Sequence, residues 1–384
     1  MVERQLLERI IEYQEIFPVV AILGPRQCGK STLAKMMVSG KESFVYLDLE
    51  KQSDLNKLHD PELFFRNNRD KNICIDEIQL KPDLFQAMRP AIDEERKNGK
   101  FLILGSASRD LLRQSSETLA GRIGYLELTP FSSSELQTTD GFDMNRHWLR
   151  GGFPQSYLQD SDKAAFLWLE NFIRTFVERD VPQLGMNIPA ITTRRLLSMC
   201  AHNQGQLLNS SRLGESLGIS YHTVQKYLDL LDQLFVLRTL NPYLPKIRKR
   251  MTRSPKIYIR DSGLLHSILN IEGMNDLMGH PVFGSSWEGY AMENILNRFS
   301  GWQSYFYRTS SGNEIDLILE KGQQKVAVEF KSSMSPKPGK GLYQAMDDLG
   351  IEKVWIIAPT EKSYPYNQQI HISTLPDFLT EIER

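Results

Sequence analysis

Apolar runs and amphipathic segments alternate along the first third of the chain. Between residues 19 and 130, short runs that predict buried strands are separated by segments with apolar residues at helical spacing. The predicted strands cover residues 19–23, 44–49, 72–75, 101–104 and 124–128. This alternation predicts a parallel sheet with helices on both faces, and residues 1–17 predict an amphipathic helix that packs on it.

The pattern changes twice after residue 150. Residues 155–195 carry apolar residues at helical spacing with charges between them, which predicts a helical lid or linker. Residues 196–260 then predict a helix, a turn at 218–220 with Ser220 as N-cap, a second helix and a strand. This order resembles a winged helix, whose exposed recognition face would hold His222, Thr223, Gln225 and Lys226.

A third pattern begins near residue 282. It predicts a helix, strands over 303–308, 314–320 and 325–331, another helix and a last buried strand, which together make a second α/β domain. The predicted domains therefore cover residues 1–150, 151–195, 196–270 and 271–384.

Composition narrows the class of protein. The chain has 384 residues, of which 41% are hydrophobic and 24% charged, and these values are typical of globular proteins. The net charge of -1 gives no global argument for nucleic acid, so that case depends on local patches. Three cysteines are too few for a disulfide framework, which favours a reducing, cytoplasmic setting. The N-terminus does not resemble a signal peptide, and no apolar run approaches the ~20 residues of a membrane span.

Candidate chemistry begins directly after the first strand, where residues 24–31 complete the pattern G-x-x-x-x-G-K-S before a helix. Glycines let the backbone turn so that its N–H groups surround phosphate oxygens. Lys30 would reach the β- and γ-phosphates, and the Ser31 hydroxyl would ligate Mg²⁺. The pattern predicts a site for ATP and Mg²⁺ formed by Gly24, Pro25, Arg26, Gln27, Cys28, Gly29, Lys30, Ser31 and Thr32. The alternative is a chance match in a turn between strand and helix.

Two adjacent carboxylates follow a later apolar run, in ICIDEIQ at 73–79. This is the Walker B pattern with an extra glutamate. Asp76 would hold Mg²⁺ through water, because magnesium keeps much of its hydration shell. Glu77 would act as general base toward the attacking water.

Two acidic residues and a lysine fall on the predicted C-terminal strands as Asp316, Glu329 and Lys331. Side chains two residues apart on a strand share a face, so Glu329 and Lys331 would meet Asp316 from the neighbouring strand. The spacing is the signature of the PD-(D/E)XK nuclease superfamily. Asp316, Glu329 and Glu288, the matching acid on the preceding helix, would hold Mg²⁺ or Mn²⁺, with Lys331 activating water. The alternative is that these three charged residues fall on strands by coincidence.

Several motifs together resemble one prokaryotic AAA-like ATPase family with a C-terminal domain of unknown function. They are GPRQCGKS at 24–31, ICIDEIQ at 73–79, FLILGSAS at 101–108, LAGRI at 119–123, LELTPFSSSEL at 126–136, GGFP at 151–154 and ERDV at 178–181. The family is similar to the P-loop group that includes STAND-type and archaeal ATPases. The resemblance and the patterns imply an α/β fold: a P-loop AAA-like ATPase domain, a winged-helix middle domain and a C-terminal PD-(D/E)XK nuclease-like domain.

Two further catalytic candidates follow from this resemblance. Ser106 lies where such ATPases place a polar residue facing the γ-phosphate; the alternative is a simple turn. Arg122 would contact a γ-phosphate in cis or from a neighbouring subunit, or it is a surface arginine paired with an acidic loop.

One basic run stands out, at 245–256, with six basic residues and no acid: Lys246, Arg248, Lys249, Arg250, Arg253 and Lys256. On a wing hairpin it would neutralise DNA phosphates, and the alternative is a solvated loop. We therefore expect an ATPase that couples hydrolysis to a DNA-directed C-terminal module. The more specific form of this expectation is that the module is a metal-dependent nuclease. The alternative is a STAND-like regulatory switch whose nuclease-like domain is inactive and binds protein or DNA. The expected partner is then another protein or a second copy of this chain.

Overall fold

The computed structural model describes residues 2–105, 115, 117–183, 188–244 and 251–381. The chain divides into two compact units, one of residues 1–131 with 233–235 and one of residues 132–232 with 236–384.

The first unit is built on a five-stranded parallel sheet. Its strands are β1 (Val19–Leu23), β2 (Phe44–Asp48), β3 (Asn72–Asp76), β4 (Phe101–Gly105) and β5 (Ile123–Glu127), in the order β2-β3-β4-β1-β5. All pairs are parallel. The predicted α/β sheet is therefore confirmed, with strand ends within one residue of those expected. Its helices include Leu6–Ile16, Lys30–Val38, Gln52–Lys57, Pro61–Asn67 and Leu84–Glu95.

Both faces of this sheet are covered. Along β1, Val19, Ala21 and Leu23 belong to one buried cluster, while Val20 and Ile22 belong to another. Because strand side chains alternate between faces, these are the two sides of the sheet. A strand buried on both sides has to be apolar throughout, which explains its continuous apolar sequence.

The second unit contains an eight-stranded mixed sheet of order β12-β13-β11-β10-β9-β8-β6-β7. The strands are β6 (Leu237–Pro242), β7 (Lys256–Ile259), β8 (Gln303–Arg308), β9 (Glu314–Lys321), β10 (Gln324–Phe330), β11 (Val354–Ile357), β12 (Tyr364–Pro365) and β13 (Ile370–Ser373). Its longer helices include Asp162–Thr175, Ala190–His202, Tyr221–Gln233, Phe283–Arg298 and Lys340–Leu349, and shorter ones include Met144–Arg150, Ser210–Leu217, Ser262–Ile268 and Leu375–Glu381. A π-helical turn, Phe176–Asp180, follows the first of these.

The predicted helix–turn–helix lies ahead of β6. Gly218 has a φ of 68°, and the Ser220 hydroxyl accepts a hydrogen bond of 3.1 Å from the Thr223 N–H, as expected of an N-cap. His222 and Lys226 are exposed, whereas Thr223 and Gln225 are half-buried. Gln225 donates to the Ser210 hydroxyl at 2.5 Å. The expected recognition face is thus exposed only in part.

The close approach of the Asp261 carboxylate to the backbone explains the first glycine of the GGFP motif. Gly151 has a φ of 72°, and a Cβ there would lie 2.1 Å from Asp261 Oδ1. The same carboxylate accepts from the backbone N–H groups of Gly152 at 2.8 Å and Leu264 at 2.9 Å. Burial raises the pKa of Asp261 to about 6, and these backbone donors oppose the rise. The motif is structural here: it lets this carboxylate cap a helix and a turn together.

Among the helices in the described part of the chain, none combines the length and apolar character that a bilayer crossing needs.

Candidate nucleotide site and carboxylate–lysine cluster

The predicted phosphate loop follows β1 at the carboxyl edge of the first sheet. Gln27 and Gly29 have φ values of 60° and 102°, and Lys30 begins the next helix. The Lys30 ammonium donates to the carbonyl oxygens of Gly24 at 3.0 Å and Pro25 at 2.8 Å. The lysine is therefore held over the loop by the loop's own backbone. Ser31 is half-buried and Thr32 exposed at the start of this helix.

The loop is packed tightly against the end of β5. A Cβ on Gly24 would lie 2.2 Å from the carbonyl oxygen of Leu128, so this position has no room for a side chain. The Cys28 thiol is buried and donates to the same carbonyl at 3.3 Å. Arg4 donates to the carbonyls of Cys28 at 2.9 Å and Thr129 at 2.5 Å. No local sequence pattern indicates Arg4, because its partners are backbone groups far along the chain.

The predicted acidic pair lies at the same edge of the sheet, at the end of β3. Since β4 separates β3 from β1 and all three are parallel, the loop and the carboxylates follow strand ends that point the same way. Asp76 accepts hydrogen bonds from the Tyr46 hydroxyl at 2.5 Å and the Glu77 N–H at 3.0 Å. Tyr46 is a site residue that the motif did not indicate.

Glu77 occupies an unusual backbone conformation, with a φ of 57°. The Gln79 amide donates to its carboxylate. Burial raises the pKa of Glu77, and the Gln79 hydrogen bond and the positive charge of Lys30 partly oppose that rise. A half-desolvated carboxylate under the influence of the loop lysine is suited to take a proton.

The two remaining candidates of this domain have different outcomes. Ser106 lies outside the described residues. Arg122 precedes β5 at the amino edge of the sheet, where its carbonyl accepts from the Val19 N–H at 3.0 Å. Its guanidinium pairs with Asp93 at 2.8 Å. The loop is at the opposite edge, so this position does not support a contact with a phosphate bound by the same chain.

The three C-terminal motif residues come together in the second unit. In the antiparallel pair of β9 and β10, Leu317 pairs with Val328, and continuing that register by one residue brings Asp316 opposite Glu329. The Phe330 N–H donates to Asp316 Oδ2 at 3.0 Å. The Lys331 ammonium lies 2.7 Å from Glu329 Oε1. The strand alternation expected from the sequence is what brings these groups to one face.

A lysine that was not predicted for this cluster occupies its centre. Lys256, on β7, is 3% exposed, and its Nζ lies 3.2 Å from Glu288 Oε1, 2.7 Å from Glu314 Oε1 and 3.3 Å from Asp316 Oδ1. Tyr258, two residues on, donates to Glu288 Oε1 at 2.5 Å. The prediction that Lys256 belongs to a DNA-facing basic run is therefore wrong: three carboxylates hold it in the interior.

Charge and burial shape the proton affinities in this carboxylate–lysine cluster, which comprises Glu288, Glu314, Asp316, Glu329, Lys256 and Lys331. Burial lowers the pKa of Lys256, but the charges of Glu288 and Asp316 outweigh it, so the pKa lies well above its usual value. Burial and the charge of Asp316 raise the pKa of Glu329 well above its ordinary value, against the opposing effect of Lys331.

The cluster suits a divalent cation in its donor chemistry but not in its arrangement. Glu329 is 8% exposed, and its Oε2 is buried without a hydrogen-bond partner among the described residues. Carboxylate oxygens are ligands that Mg²⁺ and Mn²⁺ accept. However, the part of the chain that the structure describes holds no group of three or more His, Cys, Asp or Glu side chains placed to bind a metal. The lysines hold the carboxylates instead.

The four basic residues proposed to meet DNA, Lys246, Arg248, Lys249 and Arg250, lie outside the described residues. Arg253, at the end of the same run, is exposed.

Residues 17–137 match the family model of an AAA domain. Residues 141–275 and 283–378 match two domains of unknown function, DUF8612 and DUF4143. The uncharacterized protein Rv2008c of Mycobacterium tuberculosis is 38% identical over 353 residues, which cover 92% of this chain and 79% of that protein. The chain belongs to the same family as this mycobacterial protein. Together with the AAA match, this makes it a member of an AAA-like ATPase family.

Two more distant matches also cover most of this chain. An uncharacterized protein of Haemophilus influenzae is 23% identical over 363 residues, covering 86% of each chain. Among solved structures, the Walker-type ATPase PABY2304 of Pyrococcus abyssi matches with a TM-score of 0.48 and 16% identity, covering 70% of this chain and 96% of that one. The AAA match alone shows that residues 17–137 form an ATP-binding, AAA-type ATPase domain.

Proposed function

We propose that the protein hydrolyses ATP with Mg²⁺ at the edge of the first sheet and uses hydrolysis to control a DNA-directed C-terminal module. The observation that carries the proposal is the placement of Lys30, Asp76 and Glu77 after parallel strands that end at one edge. Mg²⁺, when bound, would neutralise phosphate charge. The N–H groups of residues 24–31 would bind phosphate oxygens, and Ser31 and Asp76 would hold the ion.

Proton transfer in this proposal belongs to Glu77. Its carboxylate would take a proton from the attacking water, and its raised pKa makes it a stronger base than an ordinary glutamate. Tyr46 would orient Asp76 through the hydrogen bond between them. Because Arg122 lies at the other edge of the sheet, a contact between it and a γ-phosphate would need a second copy of the chain, and such an assembly is part of the proposal.

The test is a steady-state ATPase assay beside a nucleotide-binding measurement. Lys30→Ala should weaken ATP binding strongly, because it removes a positive charge next to the phosphates. Glu77→Gln should bind ATP normally but hydrolyse it roughly 100-fold or more slowly, the usual effect of removing a general base. Glu62→Gln, an exposed glutamate at the start of another helix, is the matched control and should keep the wild-type rate. Wild-type hydrolysis by Glu77→Gln would remove that assignment.

The finer proposal for the second unit is a metal-dependent nuclease of the PD-(D/E)XK type. The convergence of Asp316, Glu329 and Lys331 supports it, because this set combines carboxylates for a divalent ion with a lysine for water activation or charge stabilisation. Glu288 adds a further acid at the same cluster through Lys256. DNA contacts would come from Lys246, Arg248, Lys249 and Arg250 and from the exposed side chains His222 and Lys226 of the winged-helix-like segment.

A second candidate is a STAND-like switch in which the nuclease-like domain binds DNA or protein without cutting. The pairing of cluster carboxylates with lysines favours it, since both oxygens of Asp316 already have partners.

Cleavage assays separate the two candidates. Wild-type protein would be incubated with linear, nicked and single-stranded DNA in Mg²⁺ or Mn²⁺. The nuclease proposal requires cutting that Asp316→Ala and Lys331→Ala abolish while ATP hydrolysis continues. DNA binding with no cutting under any of these conditions would favour the switch.

A further inference from the structure

We propose that Lys256 is a built-in cation that takes the place of a divalent metal in the carboxylate–lysine cluster and keeps the metal affinity of this module low. The proposal rests on the nuclease-like module proposed above, but not on its cutting DNA.

The first argument is the position of the ammonium. Lys256 Nζ lies between 2.7 and 3.3 Å from carboxylates of three different residues, on a helix and on β9. A buried charge is stable only where opposite charges surround it, and a side chain that is 3% exposed satisfies this condition with three partners. This is the environment that an acidic cluster otherwise offers to a metal ion.

The second argument is what Lys256 does to Asp316. One oxygen of that carboxylate faces Lys256 at 3.3 Å, and the other accepts from the Phe330 N–H. A magnesium ion would need an oxygen at about 2.0–2.1 Å, which would put it close to the ammonium and repel it. Metal binding by Asp316 therefore requires the lysine to move away.

The third argument concerns the second carboxylate oxygen of Glu329. Glu329 Oε2 is buried and has no hydrogen-bond partner among the described residues, while Oε1 is held by Lys331. A buried carboxylate oxygen without a partner is costly, and a cation bound there would have to displace the proton that burial and the charge of Asp316 favour on this carboxyl. The cluster thus combines one carboxylate oxygen that no neighbouring donor holds with a neighbouring carboxylate that Lys256 has blocked.

The experiment measures Mn²⁺ binding to the full chain by electron paramagnetic resonance, without nucleotide. Lys256→Met and Lys256→Gln both remove the charge; the glutamine keeps hydrogen-bond donors for Glu288 and Asp316 and is the variant expected to fold if methionine is not tolerated. Each should bind Mn²⁺ at least tenfold more tightly than wild type. Adding Asp316→Asn to either should abolish the gain, which separates this cluster from any ion bound near the phosphate loop.

Thermal unfolding gives a second readout. Mn²⁺ should raise the melting temperature of the Lys256 variants more than that of wild type, because a ligand that binds only the folded state stabilises it. The matched control is Lys325→Met, on β10, whose ammonium pairs with Glu320 at 3.5 Å and lies over the Tyr243 ring. It should bind Mn²⁺ as wild type does.

Two results would overturn the inference. If wild type and the Lys256 variants all bind Mn²⁺ tightly and equally, the lysine does not block the ion, and the nuclease proposal stands without it. If none of them binds Mn²⁺ at this cluster, removing the lysine does not create a metal site. ATP hydrolysis and its loss in Glu77→Gln test the proposed ATPase separately from both results.

Discussion

A buried histidine in the second unit gives the sharpest expectation at the scale of a residue. His266 Nδ1 lies 2.9 Å from the Leu149 carbonyl oxygen, so this nitrogen carries the proton. Nε2 therefore accepts from the Ser286 hydroxyl at 2.7 Å, and that hydroxyl oxygen in turn accepts from the Trp148 indole N–H at 2.9 Å. Burial lowers the pKa of His266 to about 4, and the nearby His280 adds to this effect. The folded protein therefore keeps this ring neutral in mild acid.

The consequence for stability has a definite sign. Below the ordinary histidine pKa of about 6.5, the unfolded chain takes up a proton that the folded chain refuses. The His266 contribution is thus complete above pH 6.5 and is lost as the pH falls toward 4, by about 2 kcal/mol between pH 7.5 and 5. His266→Asn keeps a donor for the Leu149 carbonyl and cannot titrate, so it should lose less stability over this range than wild type does.

Urea unfolding followed by tryptophan fluorescence measures this difference. All five tryptophans of the chain lie in the second unit, so the signal reports on the unit that contains His266. Comparing wild type with the variant at each pH removes the effect of other groups, such as Asp261. Parallel pH profiles for the two proteins would mean that His266 is not the titrating group.

A single residue of the site could be predicted where its partners are close in sequence or lie opposite it in a regular strand pairing. Asp316, Glu329 and Lys331 were predictable as a group because strand alternation and one antiparallel pairing are enough to bring them together. Lys256 was not, because it reaches Glu288 and Asp316 from β7, and nothing local distinguishes it from the basic residues before it. Tyr46 and Arg4 were not predicted for the same reason, because only the tertiary fold brings them to their partners.

At the scale of an element, the close packing of the phosphate loop against the end of β5 affects both ATP binding and the stability of the domain. Gly24→Ala would place a Cβ 2.2 Å from the Leu128 carbonyl oxygen, so either the loop or the end of β5 must shift. We expect ATP affinity to fall at least tenfold and the domain to lose roughly 1–3 kcal/mol, the usual cost of overpacking. Calorimetric titration with ATP and Mg²⁺, beside a melting curve, would measure both.

The matched control for that substitution is Gly279→Ala. A Cβ at Gly279 meets no atom within 4 Å, so the change should leave both ATP affinity and the melting curve as in wild type. If Gly24→Ala binds ATP as wild type does, the loop tolerates a side chain there, and the close packing against β5 is not what shapes the phosphate site.

Elements with a strong local pattern were predictable, and those made by distant pairing were not. Strands β1 and β4 of the first sheet are buried along their whole length because helices cover both faces, and their apolar sequences make this visible. By contrast, β6 pairs with β7 in an antiparallel manner and also with β8 in a parallel manner. This joins the segment predicted as a winged helix to the strands of the C-terminal sheet. No local pattern announces such a pairing, since it depends on residues about sixty positions apart. The domain boundaries and the winged-helix assignment stay predictions.

At the scale of the whole molecule, the near-neutral charge directs attention to a single segment. A net charge of -1 gives no general attraction to DNA, so binding would have to come from a local concentration of basic residues. With Lys256 buried among carboxylates, the segment proposed to meet phosphates reduces to Lys246, Arg248, Lys249, Arg250 and the exposed Arg253.

The last prediction therefore concerns this segment and the link between DNA and hydrolysis. Replacing Lys246, Arg248, Lys249 and Arg250 with glutamine should weaken DNA binding and flatten its salt dependence, by about 0.9 in the log–log slope for each DNA phosphate that the variant no longer neutralises. ATP affinity should not change, whereas any stimulation of hydrolysis by DNA should disappear. A control that removes the same charge from four exposed lysines, Lys321, Lys337, Lys353 and Lys362, separates a local effect from a general change in net charge. Binding curves over a range of salt, with ATPase rates with and without DNA, supply the measurements. Equal slopes for the variant and wild type would assign these residues to a solvated loop, and a DNA-directed role would then need another surface.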